Sequence, residues 1–289
     1  MSKKPSQDPK AQEDTDIRAA LDKLRDMRYP DAVQGKEIYN FMGGRVIEHR
    51  TSKSDVLAIK VNSTINRSEG DMMHYAAMNG VRAPRVRGVY DIVGTRRLAR
   101  AMVSERVPGV PLADVWQTLS AADKSTIKDQ LRTQLARMRA CTQPFIGRVG
   151  RQKTRNVYDG FGGSYCGPFA DEKAFDDWCL AHIPGGPLMR FKWRWLLESE
   201  RKNRRAASFV LTHGDLTPRN IIVQGNVIMG IVDWERSGFF PEYAEYAFAM
   251  MLCPSHEEWW IPVLMELLPP CSKRRLEFTG MVDEWFLNS

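Results

Sequence analysis

The chain has no long apolar run. Its most continuous hydrophobic stretches, such as Tyr246–Cys253 and Val56–Ile59, fall far short of the roughly 18 residues a membrane-crossing helix needs. The sequence therefore reads as a soluble chain with no membrane partner. The opening MSKKPSQDPKAQEDTD has no apolar core after its lysines, so neither a secretory signal nor a transit peptide is read there, and the cytosol is the default address. Cysteine is scarce and unpatterned. Cys141, Cys166, Cys179, Cys253 and Cys271 are odd in number and contain no C-x-x-C pair, which excludes a disulfide framework or a cysteine metal site and leaves reduced, mostly buried thiols. Glycine (21) and proline (16) are at ordinary levels, so collagenous and wholly disordered classes are out.

What is present suits a globular protein: 289 residues, 43% hydrophobic and 27% charged, enough for one large domain or two lobes. The net charge of +7 permits attraction to phosphates without demonstrating a nucleic-acid partner. None is expected, because the basic run Arg201–Arg205 lacks interleaved aromatics and any reading motif, and reads as a solvated helix face. The charge is unevenly placed. Residues 145–208 carry 12 Lys/Arg against 7 Asp/Glu, whereas 213–270 carry 2 against 8.

Residues 1–14 are too polar to repay the entropy of ordering and read as a flexible leader. Ile17, Leu21, Leu24 and Met27 then recur at helical spacing between Thr15 and Pro30. Short strands are predicted at Ile38–Phe41, Arg45–Glu48 and Val56–Val61, the last two separated by a Thr51–Asp55 turn, with further strands at Pro84–Tyr90 and Ala101–Val107. Between them Met72, Met73, Ala76 and Ala77 line a helix that ends at Gly80. Beyond Val107 the period becomes helical: Ser120 caps a run with Ile127, Leu131, Leu135 and Met138 on one face. Gly147–Gly167 reads as a long loop, and Glu172–Ile183 and Phe191–Arg205 as helices. Strands first and helices later argue for an α+β protein with a small sheet-based lobe and a larger helical one.

Chemistry concentrates in residues 211–235. His213-x-Asp215 ends an apolar strand, Asn220 follows five residues after the aspartate, and Ile221–Val223 and Val227–Val232 flank a Gly225-Asn226 turn in a hairpin that ends at Asp233. Phosphoryl transfer needs a carboxylate to orient or deprotonate the acceptor hydroxyl and oxygen ligands for Mg²⁺. Asp215 fits the base, and Asn220 and Asp233 the metal, at the spacing of a kinase catalytic loop. His213 reads as structural support for that loop.

The pattern resembles the aminoglycoside phosphotransferase and choline kinase group of protein-kinase-like enzymes, especially the fungal phosphotransferase branch. It rests on His213–Val223, Ile228–Glu235, Pro241-Glu-Tyr243, Gly167-Pro-Phe with Phe175 and Trp178, and the Val81–Val86 segment with Pro84, covering roughly residues 38–260. The resemblance implies a two-lobed protein-kinase-like fold, with a small antiparallel-sheet N-lobe over 15–107 and a larger, mainly helical C-lobe over 108–289 that holds the catalytic loop and acceptor site. It also implies ATP or GTP in the interlobe cleft, with a strand lysine and a helix glutamate at the phosphates. By position these are Lys60 and Glu69, with Asp71 the alternative. Gly43 and Gly44 are the only glycines available for a phosphate loop, fewer than such loops usually carry, and Glu105 and Val107 complete the nucleotide-binding set.

The implied activity is Mg²⁺-dependent transfer of a nucleotide γ-phosphate to a hydroxyl of a small molecule. A protein kinase of the same fold needs an activation segment after the metal aspartate, and Asp233-Trp-Glu runs almost directly into Pro241. A silent binding module should have lost Asp215, Asn220 or Asp233, and all three are kept. The acidic stretch after Asp233 favours a cationic acceptor, with Glu257 and Glu258 beside Trp259 and Trp260 as the acceptor-side group, although glutamates there can equally cap or brace helices.

Overall fold

β-Branched and aliphatic residues at alternating positions build the first sheet. In the computed structural model, which describes residues 35–41, 44–92, 99–159, 163–202, 208–252 and 257–287, it is an antiparallel sheet of five strands. These are β1 (Lys36–Phe41), β2 (Gly44–Arg50), β3 (Val56–Asn62), β4 (Val86–Ile92) and β5 (Ala99–Glu105), in the spatial order β1-β2-β3-β5-β4. Ile47, Val61 and Ala101 are buried on one face, with Ile59 and Ile92 packed against them. The Thr51–Asp55 turn closes as the sequence suggests: Thr51 N–H donates to the Asp55 carbonyl (2.9 Å), and Ser54 takes positive φ. Register places Lys60 opposite Val46 on β2 and Met102 on β5. The leader 1–14, the helix predicted around Ile17–Met27, Gly43 and Cys253 lie outside the described residues.

Chain contacts divide the protein into two units, residues 1–65 with 87–106 and residues 66–86 with 107–289. The helix α1 (Arg67–Met78) thus belongs to the second unit, whereas the sequence reading put all of 15–107 in the first. Asn66 caps α1 by accepting from Ser68 N–H (3.0 Å), and the helix stops before Gly80 at φ 80°.

The second unit begins with the short strand β6 (Val110–Pro111) and a brief helix α2 (Leu112–Val115), then the long α3 (Ala121–Ala140). α3 behaves as its spacing predicts: Ser120 is the cap, and Ile127, Leu131, Leu135 and Met138 are buried. Beyond the β7 pair Thr142–Gln143, the Gly-rich loop folds back through β8 (Thr154–Arg155) and β9 (Tyr165–Cys166). Helices α4 (Glu172–Ala181) and α5 (Pro187–Lys202) follow, then β10 (Phe209–Thr212), the hairpin β11 (Ile221–Gln224) and β12 (Val227–Ile231), β13 (Gly238–Phe240) and helices α6 (Ala244–Leu252), α7 (Ile261–Leu267) and α8 (Lys273–Leu287). β10 lies between β13 and β7, and β11 between β12 and β6.

α5 starts four residues earlier than the sequence suggests. Trp193 and Leu197, four apart, are buried, while Phe191 and Trp195 are 68% and 63% exposed because the same spacing rotates them to the opposite side. Packing between helices is completed by a buried ion cluster. Arg275 on α8 reaches Asp176 (2.6 Å) and Glu172 (3.2 Å) on α4 and lies over the Tyr243 ring. Cys141, Cys166 and Cys179 are buried free thiols. Among the described residues no helix is long and apolar enough to cross a membrane.

Candidate active site

β10 carries the chain out of a buried sheet and ends at Thr212, so the residues that follow leave a rigid edge in a fixed direction. His213 is fully buried. Its Nε2 lies 3.0 Å from the Val232 carbonyl and its Nδ1 accepts from Asp215 N–H at 3.3 Å, a pair of partners that assigns the proton to Nε2 and leaves the ring neutral. Burial holds its pKa below the usual histidine value against the opposing charges of Glu245 and Asp233. Trp234 packs edge-on against the ring at 4.8 Å between centroids. His213 thus links the two strand ends of the site.

Gly214 adopts φ 80°, and a Cβ there would come within 2.6 Å of the Arg236 carbonyl oxygen, so both conformation and space demand glycine. The backbone N–H groups of His213 and Gly214 both donate to Glu245 on α6, at 2.6 and 3.1 Å. That carboxylate is buried, and burial raises its pKa although the two N–H groups and His213 act against the shift.

The loop closes on Asp215. Asn220 Nδ2 donates to the Asp215 carbonyl (2.9 Å) and to its Oδ2 (3.1 Å), and Thr217 N–H donates to the same carbonyl (2.9 Å). Val232 N–H in turn donates to the Asn220 carbonyl (2.8 Å), which stitches the loop to the strand leading into Asp233. Burial, followed by the negative charge of Asp233, pushes the Asp215 carboxyl up to about 6; Arg236, Asn220 and Arg219 pull the other way. Asp233 itself sits at φ 65°, ψ 65°, a left-handed conformation rare outside glycine, at the entry to a tight turn over Trp234–Arg236.

Asp215, Asn220, Asp233 and His213 are therefore one connected group. Two mutually repelling carboxylates and an amide whose nitrogen is already used offer hard oxygen donors, a set that fits Mg²⁺ and not a softer ion. Among the described residues no group of three or more His, Cys, Asp or Glu could hold a metal alone, so phosphate oxygens or water would have to complete the coordination.

The remaining candidates fall elsewhere. Glu69, on the first turn of α1, is buried, whereas its alternative Asp71 is exposed and accepts from Gln152 Nε2 at 3.1 Å. Val107 packs over Gly230 of β12, where a Cβ would meet its methyl carbons at 2.9 Å. Lys60, Gly44 and Glu105 belong to the five-stranded sheet, and Glu105 lies 3.6 Å from Arg87. Glu257 is buried and pairs with Arg219 of the 213–220 loop at 2.8 Å, while Glu258 is exposed. Trp260 is also buried and donates from Nε1 to the Leu216 carbonyl (3.2 Å). Segment 257–260 thus holds the 213–220 loop, a contact between residues some forty positions apart that no local spacing announces. The sequence reading also missed Arg148, fully buried with a guanidinium bonded to Ser68, Glu235 and Ser237. A lone arginine in a Gly-rich loop carries no signal of that role.

Comparison with known proteins gives the same architecture. The chain is 24% identical over 270 residues to an aminoglycoside 3'-phosphotransferase of Streptomyces fradiae, spanning 87% of this chain and 91% of the relative. Among solved structures, it is similar to a thermostable mutant of aminoglycoside phosphotransferase APH(4)-Ia in a ternary complex with ADP and hygromycin B (TM-score 0.57, 14% identity, 93% of this chain and 88% of that one). It is also similar to an aminoglycoside-3'-phosphotransferase of type VIII (TM-score 0.51, 18% identity, 94% and 98%). These likenesses establish the protein-kinase-like fold, with its small antiparallel-sheet N-lobe and larger helical C-lobe. Residues 65–266 match the phosphotransferase enzyme family, and that span contains every residue of the connected group. The chain belongs to the phosphotransferase enzyme family and is a kinase-type phosphotransferase with an alcohol group as acceptor.

Proposed function

We propose that this phosphotransferase moves the γ-phosphate of ATP to a hydroxyl of a small, amine-bearing molecule, with Asp215 as the base and Asn220 and Asp233 as Mg²⁺ ligands. The observation that carries the reading is the Asp215 carboxyl itself: raised to about 6, it is ionised at neutral pH yet basic enough to take a proton, and Asn220 fixes its direction. In the transfer, the acceptor oxygen forms a bond to the γ-phosphorus, the bond from that phosphorus to the bridging oxygen breaks, ADP leaves, and the hydroxyl proton passes to an Asp215 oxygen. Bound Mg²⁺ would neutralise charge on the phosphate oxygens. Glu245 and His213 keep the loop from moving while this happens. Lys60, Glu69, Gly44, Glu105 and Val107 are proposed as nucleotide contacts on the strength of the family resemblance.

Related enzymes support the donor and the acceptor class, since the APH(4)-Ia neighbour holds ADP with hygromycin B. The acidic segment supports a cationic acceptor less strongly than its bare count suggests. Glu235 pairs with Arg155, Glu242 with Arg139, Glu257 with Arg219, and Glu266 with Lys128 and Arg132. Exposed Glu258, beside Trp259, is the carboxylate we assign to the acceptor's ammonium. The test is a transfer assay with ATP and GTP across hydroxylated amines, aminoglycosides and neutral sugars, with Asp215→Ala as the blank. Phosphorylation of amines that falls with salt and in Glu258→Gln is expected. Equal use of neutral sugars, indifferent to salt, contradicts the cationic acceptor.

A further inference from the structure

We propose that Arg148 is a positioning residue for the metal side of the site, holding the turn after Asp233 in the geometry that presents its carboxylate and tying that turn to the start of α1. The inference rests on the reading of Asp233 as a Mg²⁺ ligand.

Arg148 is 0% exposed, yet its guanidinium donates to neutral oxygens. Nε donates to the Ser237 carbonyl at 3.0 Å, one terminal nitrogen donates to the Glu235 carbonyl, and the other reaches Ser68 Oγ at 2.7 Å. The plane lies over the Tyr165 ring, 5.7 Å from its centroid. Burying a guanidinium against neutral oxygens is costly, and a fold keeps such a group where its fixed fork of donors does something a lysine or an apolar side chain cannot. Here the fork spans two carbonyls of a single turn. That turn begins at Asp233, whose left-handed backbone persists only when its surroundings hold it.

The neighbouring chain adds to the grip. Thr154 Oγ1 also donates to the Ser237 carbonyl (3.3 Å), Arg155 pairs with the Glu235 carboxylate (3.0 Å), and Gly147 and Phe239 exchange backbone hydrogen bonds. Segment 147–155 therefore wraps the turn, with Arg148 as its buried centre. The bond to Ser68 gives the arrangement a second consequence. Ser68 precedes Glu69, whose charge acts on the guanidinium, so the helix that carries the proposed phosphate-side glutamate and the turn that carries the proposed metal carboxylate share one anchor.

The experiment compares Arg148→Lys, which keeps the charge and loses the fork, Arg148→Met, and the milder Ser68→Ala, which keeps the test available if Arg148→Met does not fold. Hydrogen exchange on the protein without nucleotide is read at the Ser237 amide, which donates to Trp234, with the Ala247 amide on α6 as an internal control. In parallel, calorimetry measures the Mg²⁺ concentration for half-maximal ATP binding. About tenfold faster exchange at Ser237 in Arg148→Lys, with Ala247 unchanged, and a Mg²⁺ requirement raised about fivefold at an unchanged acceptor KM are expected, with smaller shifts of the same sign in Ser68→Ala. Folded variants that lose only thermal stability, with Ser237 exchange and Mg²⁺ requirement as in the original protein, overturn the proposal. Original protein that binds no Mg²⁺-nucleotide, with the exchange effect intact, overturns instead the metal reading of Asp233.

Discussion

Asn220 holds Asp215 by two hydrogen bonds from one amide nitrogen, 2.9 Å to the backbone carbonyl and 3.1 Å to the carboxylate. One residue thereby fixes both the loop and the direction of the acid group. Its amide oxygen is left for another ligand, which is how a single asparagine can serve the proposed base and the proposed metal together.

Removing the amide geometry should therefore cost more than one function. Asn220→Ala is expected to lower kcat by about 10²-fold through loss of Asp215 orientation and to weaken Mg²⁺-nucleotide binding as well. Steady-state kinetics over a Mg²⁺ series checks both. A change confined to acceptor KM contradicts the dual role.

The raised Asp215 pKa sets the sign of two pH effects. Activity needs the ionised form, so kcat/KM should fall on the acid side, at a pH no higher than about 6 because bound Mg²⁺ would offset part of the Asp233 charge. Stability runs the other way. An aspartate raised above its unfolded value of about 3.9 favours the folded state below that value, and the advantage is lost between about pH 4 and pH 6. Asp215→Asn should thus melt higher than the original protein at pH 7.5, and the gap should close below pH 4. Thermal melts at both pH values decide it, and a lower melting temperature for Asp215→Asn at pH 7.5 contradicts the assignment.

Asp233 is one cause of that shift, so neutralising it should reverse part of it. In Asp233→Asn, which tolerates the left-handed backbone, the Asp215 titration followed by NMR without nucleotide should move to lower pH. A titration unchanged from the original protein means the two carboxylates do not sense each other.

Arg275 tests the frame rather than the chemistry. Arg275→Met removes the buried cation between Asp176 and Glu172, leaving Arg201 as the remaining ion-pair partner of Asp176, and should cost about 3 kcal/mol of unfolding free energy. Denaturant titration measures it, with kcat per folded molecule expected to stay the same. Lost turnover in fully folded protein would join this cluster to the site.

What the sequence made legible follows from the range of the interactions. The order of strands and helices, the Ser120 cap and the buried face of α3, the Thr51–Asp55 turn and the hairpin at Gly225-Asn226 are set by neighbours a few residues apart, and periodicity reads them well. The connected group was legible for the same reason, since Asp215 and Asn220 share one loop and Asp233 ends the adjoining hairpin. The Arg148, Glu257 and Trp260 contacts bridge long stretches of chain, and nothing in a local pattern says that a basic residue at 148 meets a turn at 235. α5 shows the limit within one helix: Phe191 and Trp195 look as buried as Trp193 until the core chooses a face. The place of α1 in the second unit also escaped, because membership is decided by packing against the 149–151 and 234–236 turns and not by chain order.

The most direct measurement follows the phosphorus atom. ³¹P NMR of the protein with ATP, Mg²⁺ and a hydroxylated amine should show a phosphomonoester growing as the γ-resonance falls. Asp215→Asn should slow that growth by about 10²–10⁴-fold while its nucleotide affinity, measured by calorimetry, stays the same. Transfer at the original rate by Asp215→Asn, or loss of nucleotide binding in place of loss of transfer, contradicts the role given to Asp215.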